Sequence, residues 1–507
     1  MWGRTSVADR TPGRDRTDRA DRGGHPPRRR SSTRPAERTR RAEPTRAAAY
    51  HLLRAVEEGA YANLELPKVL RRSHLAGRDA AFTTELAFGT LRHRAFYDAV
   101  IAVAADRPIT AIDGRVLDVL RLGAHQLLAM RVPDHAAVDQ TVGLARAVVS
   151  QGAGGFVNAV LRRISEGDRE SWLVRVRPPG GVAALALEYS HPEWVVTALR
   201  GALVGHGTAT AEAVDDQLEA LLRADNDPPR VALVARPGLT TVDELIAQGG
   251  RPGRWAPTAV LLDSGQPGDL PEVRDGRAAV QDEGSQLVAL ALAAVPSEAT
   301  GVTAGRWLDL CAGPGGKAGL LAVLASAAGA DLVANEVSEH RADLVRATLA
   351  PAIAAAVERG STIEVRTGDG RDYGAEEPGA YDRVLVDAPC TGLGALRRRP
   401  EARWRRQPGD LTALGPLQRD LLRSALDATA PGGVVGYATC SPHLAETSFV
   451  VRDVVKRRDD VEILDARPFF TQASNGALID LGNGPFVQLW PHVHGTDGMF
   501  FALLRRR

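Results

Sequence analysis

The chain has 507 residues with 63 basic and 62 acidic side chains, a formal charge of +1, 44% hydrophobic residues and three cysteines. Its length exceeds the roughly 100–200 residues of one domain, so about three domains are expected. Three cysteines are too few for a disulfide framework and point to a reducing compartment, the cytoplasm. No apolar run reaches the roughly 18 residues that span a bilayer; the longest, residues 318–330, is short and rich in small side chains.

Residues 1–46 hold fourteen arginines and six acids, a local charge of +8, so residues 47–507 sum to −7. With almost nothing to bury and no apolar core of a secretory signal, residues 1–45 read as a disordered basic tail. Such a tail can attract nucleic acid without specificity; a solvated extension with no role is the alternative. Only Lys68, Lys317 and Lys456 break an otherwise all-arginine basic set, which makes a lysine inside a motif stand out.

From residue 46 to about 170, segments such as AAAYHLLRAV, RVLDVLRLGAHQLLAM and FVNAVLRRI repeat apolar residues at three and four, predicting an all-α bundle. Arg71, Arg72, Arg78, Arg92, Arg94, Arg162 and Arg163 could form a basic face on it, or ordinary helix-surface charge. The helix order, with GRDAAFTTELAFGTLRHR and GGFVNAVLRRI, resembles the NusB-like RNA-binding domain, which favours the basic face. Residues 171–275, broken by VRPPGG, NDPPR and GQPGD, read as a small α+β connector.

From residue 276 to 507, strand-like and helical segments alternate: RWLDLCA, KAGLLAVLASAA, DLVANEV, STIEVRTGD, YDRVLVDAP, LQRDLLRSALDATA, GGVVGYATC and MFFALLRR. That alternation predicts an α/β, Rossmann-like domain with a mainly parallel, doubly wound sheet, whose ligands sit at the carboxyl ends of the strands. CAGPGGK, NEVSEHR, GDGR, DAPCTGLG and ATCS each follow a predicted strand and are the segments that can carry chemistry.

The turn Cys311-Ala312-Gly313-Pro314-Gly315-Gly316-Lys317 lets backbone N–H groups approach a ligand without Cβ interference. It is no P-loop, because Ala318 follows Gly316-Lys317 and Cys311 stands where the first glycine belongs. Glu336 ends the next strand about twenty residues later, where an acid can bind ribose hydroxyls. Asp369 follows the third strand, from where a carboxylate can accept an adenine amino group, and Arg341 lies early in the helix after Glu336. Cys390 and Cys440 fall on loops expected at neighbouring strand ends. A lone cysteine there is usually a small buried hydrophobe, but two at one rim beside a cofactor turn fit nucleophilic chemistry on an electron-poor ring. RRRPEARWRR, residues 397–406, sets six arginines around Trp404, and Arg397, Arg398, Arg399 and Trp404 are candidate RNA contacts, phosphates to arginine and a base to the ring. A solvated charge run is the alternative.

DLCAGPGGK, DAPCTG followed by RRRPEARW, and YATCSPHLAET resemble the RsmB/Sun and Nop type of RNA (cytosine-5) methyltransferases, and the NusB-like segment points to the RsmB/Sun branch, over residues 46–507. The resemblance implies S-adenosyl-L-methionine (SAM) as cofactor and a cytidine of 16S rRNA, position 967 in standard bacterial numbering, as target. It implies a SAM loop at residues 311–317, Glu336 as ribose acid, Asp369 as adenine-side acid, Asp387 as the fourth-motif acid, Cys440 as nucleophile and Cys390 as the cysteine that assists release. Cytosine carbon 5 becomes nucleophilic once a thiolate adds to carbon 6; Asp387 could hold the ring's N3 and amino edge, and Lys317 could orient the loop or favour a nearby thiolate. The target base must be unpaired or flipped out. No metal, membrane or second copy of the chain is expected, and the RNA is free or in an early assembly state. Departures from the commoner pattern, Gly313, Ala318, Thr391, Leu393 and Thr447, remove no reacting group. The same chemistry on tRNA or 23S rRNA and a non-catalytic RNA-binding factor are the competing readings; DNA cytosine chemistry would make Cys390 the nucleophile.

Overall fold

The computed structural model describes residues 42–263, 265–299 and 305–507, so the expected basic tail lies outside the described residues except for its last four. Those four already lead into helix α1 (Pro44–Glu57), whose start is fixed by Pro44 in the first turn and by Glu43, which accepts from the Thr45 and Arg46 N–H groups at 3.1 Å each. Six more helices follow: α2 (Ala62–Arg72), α3 (Gly77–Arg92), α4 (Arg94–Ala105), α5 (Gly114–Leu128), α6 (Asp134–Val148) and α7 (Ala153–Ile164). Their apolar stripes meet in one core that includes Leu52, Leu86, Phe96, Val119 and Leu161. Gly123 lets α5 approach α7, since a Cβ there would stand 2.6 Å from the Leu161 side chain.

The basic face expected on this bundle is smaller than its sequence implied. Arg71, Arg72, Arg78, Arg162 and Arg163 are exposed, but Arg92 is buried and Arg94 is drawn to Glu57 at 2.8 Å.

Four helices continue the chain, α8 (Arg169–Val176), α9 (Gly181–Glu188), α10 (Glu193–Gly205) and α11 (Val214–Ala224). A small antiparallel sheet follows, built from β1 (Val231–Ala235), β2 (Gly250–Pro252), β3 (Ala259–Leu262) and β4 (Ala278–Val280) in the order β2-β3-β1-β4. Residue 276, where the sequence alternation places the start of the α/β domain, lies just before Ala278–Val280, which pairs with β1 as the edge of the small sheet.

Beyond α12 (Glu283–Ala294) lies the large sheet: β5 (Arg306–Asp309), α13 (Gly316–Ala327), β6 (Asp331–Glu336), α14 (Glu339–Glu358), β7 (Ile363–Thr367), β8 (Tyr381–Asp387), α15 (Pro408–Ala428), β9 (Thr429–Thr439), α16 (Ser448–Val455), β10 (Val461–Leu464), β11 (Val487–Gln488) and β12 (Phe500–Arg506). Strand order is β10-β12-β9-β8-β5-β6-β7, with β11 paired to β12. Pairs among β5 to β9 are parallel, while β12 runs antiparallel to β9 and β10. Helices cover both faces, and β8 is buried from Tyr381 to Val386, the charged Asp382 and Arg383 included. The chain winds outward from β5 through β7, then returns to the other side of β5 at β8, so the switch point of the sheet lies between β5 and β8. No helix among the described residues is long and apolar enough to cross a membrane.

Candidate active site

The loop after β5 and the loop after β8 flank the switch point. Gly315 caps the start of α13 in the left-handed region, φ 110°, and a Cβ there would stand 2.9 Å from Thr348. Glycine is therefore required twice over, by backbone and by space. The Gly313 N–H donates to Glu336 Oε2 at 3.1 Å, the Ser338 N–H donates to Glu336 Oε1 at 3.1 Å, and Arg341 donates to the Gly313 carbonyl at 2.8 Å while lying 3.2 Å from Glu336. Arg341 is thus part of the loop's support, not a free helix-surface charge. Asn335, unmarked in the sequence reading, donates to the Leu310 and Gly368 carbonyls at 3.1 Å each and holds three strand ends together.

Asp369 also lies at this rim, at the end of β7, but its carboxylate is engaged by the Arg371 side chain and N–H, which hold its pKa below the usual carboxylate range. The cradle fits an adenosine-bearing cofactor. A glycine loop opens onto a helix, an acid ends the neighbouring strand, and the fully buried Asp309 carboxylate, at the end of β5, has no hydrogen-bond partner for either oxygen among the described residues. Burial, reinforced by Asp387, raises the Asp309 pKa to about 7. Cys311 packs against the apolar core, and burial, with Asp309, pushes its thiol well up.

Lys317, in the first turn of α13, is buried and donates to Asp387 Oδ2 at 2.8 Å across the switch point. Burial opposes its charge, yet the ion pair with Asp387 overrides burial and raises its pKa. The Cys390 and Cys440 sulfurs lie 3.4 Å apart, each half-buried. The sulfur–sulfur contact with Cys390 lowers the Cys440 pKa against burial, with Arg399 and Lys317 adding to the effect. The same contact, with burial, pushes Cys390 well up. The two shifts oppose each other, so Cys440 is the more readily ionised of the two sulfurs. The two loops are held close by backbone: the Gly394 N–H donates to the Cys440 carbonyl at 2.9 Å and the Gly498 N–H to the Gly394 carbonyl at 2.7 Å.

The arginine run is where sequence and structure part. Arg397 and Arg398 are tied to two buried carboxylates: Arg397 reaches Asp497 at 3.1 Å and Asp282 at 3.3 Å, and Arg398 reaches Asp497 at 2.9 Å and Asp282 at 2.6 Å. Arg403 has no exposed surface and donates to the Arg92, Ser190 and Asp225 carbonyls and to Asn226 Oδ1 at 2.8–3.2 Å. Arg405 donates to the Val56 and Ala60 carbonyls at the end of α1. Trp404 is half-buried, with its Nε1 shut away from solvent. Arg397, Arg398 and Trp404 do not form an open RNA groove. The run joins the helical bundle, the connecting helices and the large sheet, and Arg399 is its exposed arginine.

The description 16S rRNA methyltransferase RsmB/F matches residues 296–505 and the NusB family matches residues 43–166. A putative methyltransferase of Mycobacterium tuberculosis is 53% identical over 466 residues, covering 90% of this chain and 96% of that protein. A ribosomal RNA small subunit methyltransferase B of Pseudomonas syringae is 31% identical over 466 residues, again with 90% and 96% covered. The chain belongs to the RsmB/F family of 16S rRNA methyltransferases. The crystal structure of PH0851 has the same fold, with a TM-score of 0.72 at 20% identity over 92% of this chain and 99% of that one. Like other RsmB/F enzymes, the chain is a methyltransferase with SAM as cofactor.

Proposed function

We propose that this RsmB/F enzyme methylates carbon 5 of a cytidine in 16S rRNA through a covalent Cys440–cytosine adduct, at the cytidine of position 967. The observation that carries the reading is the pair of sulfurs 3.4 Å apart beside the Lys317–Asp387 ion pair. Bound SAM supplies an electrophilic methyl group. Glu336 would hold its ribose hydroxyls and Asp369, steadied by Arg371, its adenine amino group, while Arg341 keeps the 311–317 loop in place.

On the RNA side, Cys440 as thiolate adds to carbon 6 and pushes electron density to carbon 5. Asp387, oriented by Lys317, binds the N3 and amino edge of the base as charge shifts into the ring. With the methyl group on carbon 5, the carbon 5 proton passes to water, its bonding pair restores the carbon 5–carbon 6 double bond, the sulfur–carbon pair returns to Cys440, and Cys390 assists that release. The base reaches the sulfurs only when flipped out, and Arg399 meets the adjacent phosphates. The enzyme works in the cytoplasm as a single chain on free or early-assembling 16S rRNA, without a metal.

Incubation of a 16S rRNA transcript with SAM, followed by nucleoside analysis, is expected to give 5-methylcytidine mapped by bisulfite to one position. A product methylated on the amino nitrogen, or on tRNA alone, would overturn the reading.

A further inference from the structure

The ProCys and ThrCys loops leave different strands, yet their sulfurs meet at 3.4 Å, and Glu446, acting through Thr391, links the residues that follow them. Glu446 is fully buried in the turn after the ThrCys segment. Its Oε1 accepts from the Thr391 N–H at 2.8 Å and from Gln418 Nε2 at 3.2 Å, and its Oε2 accepts from the Thr391 hydroxyl. Thr391 directly follows Cys390, and its hydroxyl oxygen lies 3.2 Å from the Ser441 hydroxyl, which directly follows Cys440. With the Thr391 proton committed to Glu446, Ser441 is the donor in that pair. Gln418, from α15, also donates to the Pro389 carbonyl at 2.8 Å, and the Tyr437 hydroxyl donates to the Glu446 carbonyl at 2.9 Å.

Among the described residues Glu446 makes no ion pair; three neutral donors hold a buried carboxylate. Removing a charge from water without a cation costs several kcal/mol, and a neutral side chain of like size would fill the site at less cost. The charge has a neighbour on which to act: its field, after the Cys440 contact and burial, helps push the Cys390 thiol up.

We propose that Glu446 is a positioning residue for both cysteines: it locks the two loops at sulfur–sulfur contact and keeps Cys390 as the S–H donor to the Cys440 sulfur. During release, the electron pair of the breaking sulfur–carbon 6 bond returns to Cys440, the carbon 5 proton passes to water, and the Cys390 S–H hydrogen-bonds the departing thiolate. This rests on Cys440 being the nucleophile.

The test uses the full chain. Thiol alkylation by iodoacetamide, followed at each cysteine by mass spectrometry without RNA, reads the protonation of each sulfur. In the wild type, Cys440 reacts first. Glu446→Gln is expected to raise Cys390 alkylation at pH 8 by roughly tenfold, one pKa unit. With RNA and SAM it should slow turnover and accumulate the covalent adduct, while SAM binding stays at the wild-type level. Thr391→Val removes a tether but leaves the charge, so it should accumulate adduct with Cys390 alkylation unchanged, and Thr391→Ser should restore turnover. A Glu446→Gln protein that binds SAM and matches wild type in alkylation and turnover overturns the proposal. If that variant does not fold, equal adduct levels in Thr391→Val and Thr391→Ser overturn it instead. Failure of the nucleophile assignment is seen separately, as methylation that survives Cys440→Ala.

Discussion

Replacing Arg403 with alanine separates the two readings of the arginine run. Its guanidinium makes four hydrogen bonds, to Arg92 from the helical bundle and to Ser190, Asp225 and Asn226 from the connecting segment. At about 1 kcal/mol each those bonds contribute about 4 kcal/mol, and the buried stem adds about 1.5 kcal/mol. Burial acts the other way, pulling the Arg403 pKa from 12.5 to about 10. That shift corresponds to roughly 3 kcal/mol of opposing desolvation. The net loss is therefore ~2–3 kcal/mol, raised somewhat because Asp225, already pushed up to about 7 by burial, loses the cation that most opposes that shift. Urea denaturation followed by circular dichroism is expected to show a lower midpoint, with the helical bundle unfolding ahead of the large sheet. Arg403→Lys should not rescue it, because one ammonium cannot serve acceptors spread over both guanidinium nitrogens. Unchanged stability with weaker RNA binding and a shallower salt dependence would show that Arg403 meets phosphate, and the structural assignment would fall.

The neighbouring arginines divide the same way. Arg399→Ala should weaken RNA binding and lower the salt slope by about one charge, whereas Arg398→Ala should leave the slope alone and destabilise the protein by about 3 kcal/mol, since Asp282 and Asp497 lose a partner while buried; equal slopes in both variants would refute the division. Gly394→Ala places a Cβ 2.0 Å from the Gly498 carbonyl oxygen and 2.9 Å from that of Cys440. Backbone must then move, so a loss of about 2–3 kcal/mol and slower Cys440 alkylation are expected; wild-type values for both would contradict the packing. The Asp309 carboxyl is raised from 3.8 to about 7, so the folded state binds the extra proton between those pH values and stability drains away as pH rises from 4 to 7. Asp309→Asn should therefore gain up to ~4 kcal/mol over wild type at pH 8 in the cofactor-free protein, and little at pH 4; a gain independent of pH would sink the assignment.

Strands β5, β8 and β9 were legible because each is largely buried and ends in a loop with its own chemistry: WLDLCAGPGGK, VLVDAPCTG and GYATCS carry their meaning locally. The edge strand Ala278–Val280 was not, since three residues carry no period and its partner, Val231–Ala235, lies far back in the chain. The roles of Arg397, Arg398 and Arg403 are hidden in the sequence for a physical reason. Arginine in a run is read as solvated charge or a phosphate contact, and only the fold brings Asp282, Asp497 and the carbonyl ends of distant helices around them. Glu446 escaped notice for the same cause, because its partners Thr391 and Gln418 sit on other elements. For Asp369, a signal was present in the sequence, an arginine two residues later in GDGR, where a short turn returns the guanidinium to the carboxylate.

The most direct measurement of the central claim is denaturing gel analysis of the enzyme after incubation with SAM and 16S rRNA, for wild type, Cys440→Ala and Cys390→Ala. Cys440→Ala is expected to give neither methylated product nor a covalent RNA–protein band, and Cys390→Ala to accumulate that band. A band that persists in Cys440→Ala and disappears in Cys390→Ala would reverse the roles of the two sulfurs and contradict the mechanism.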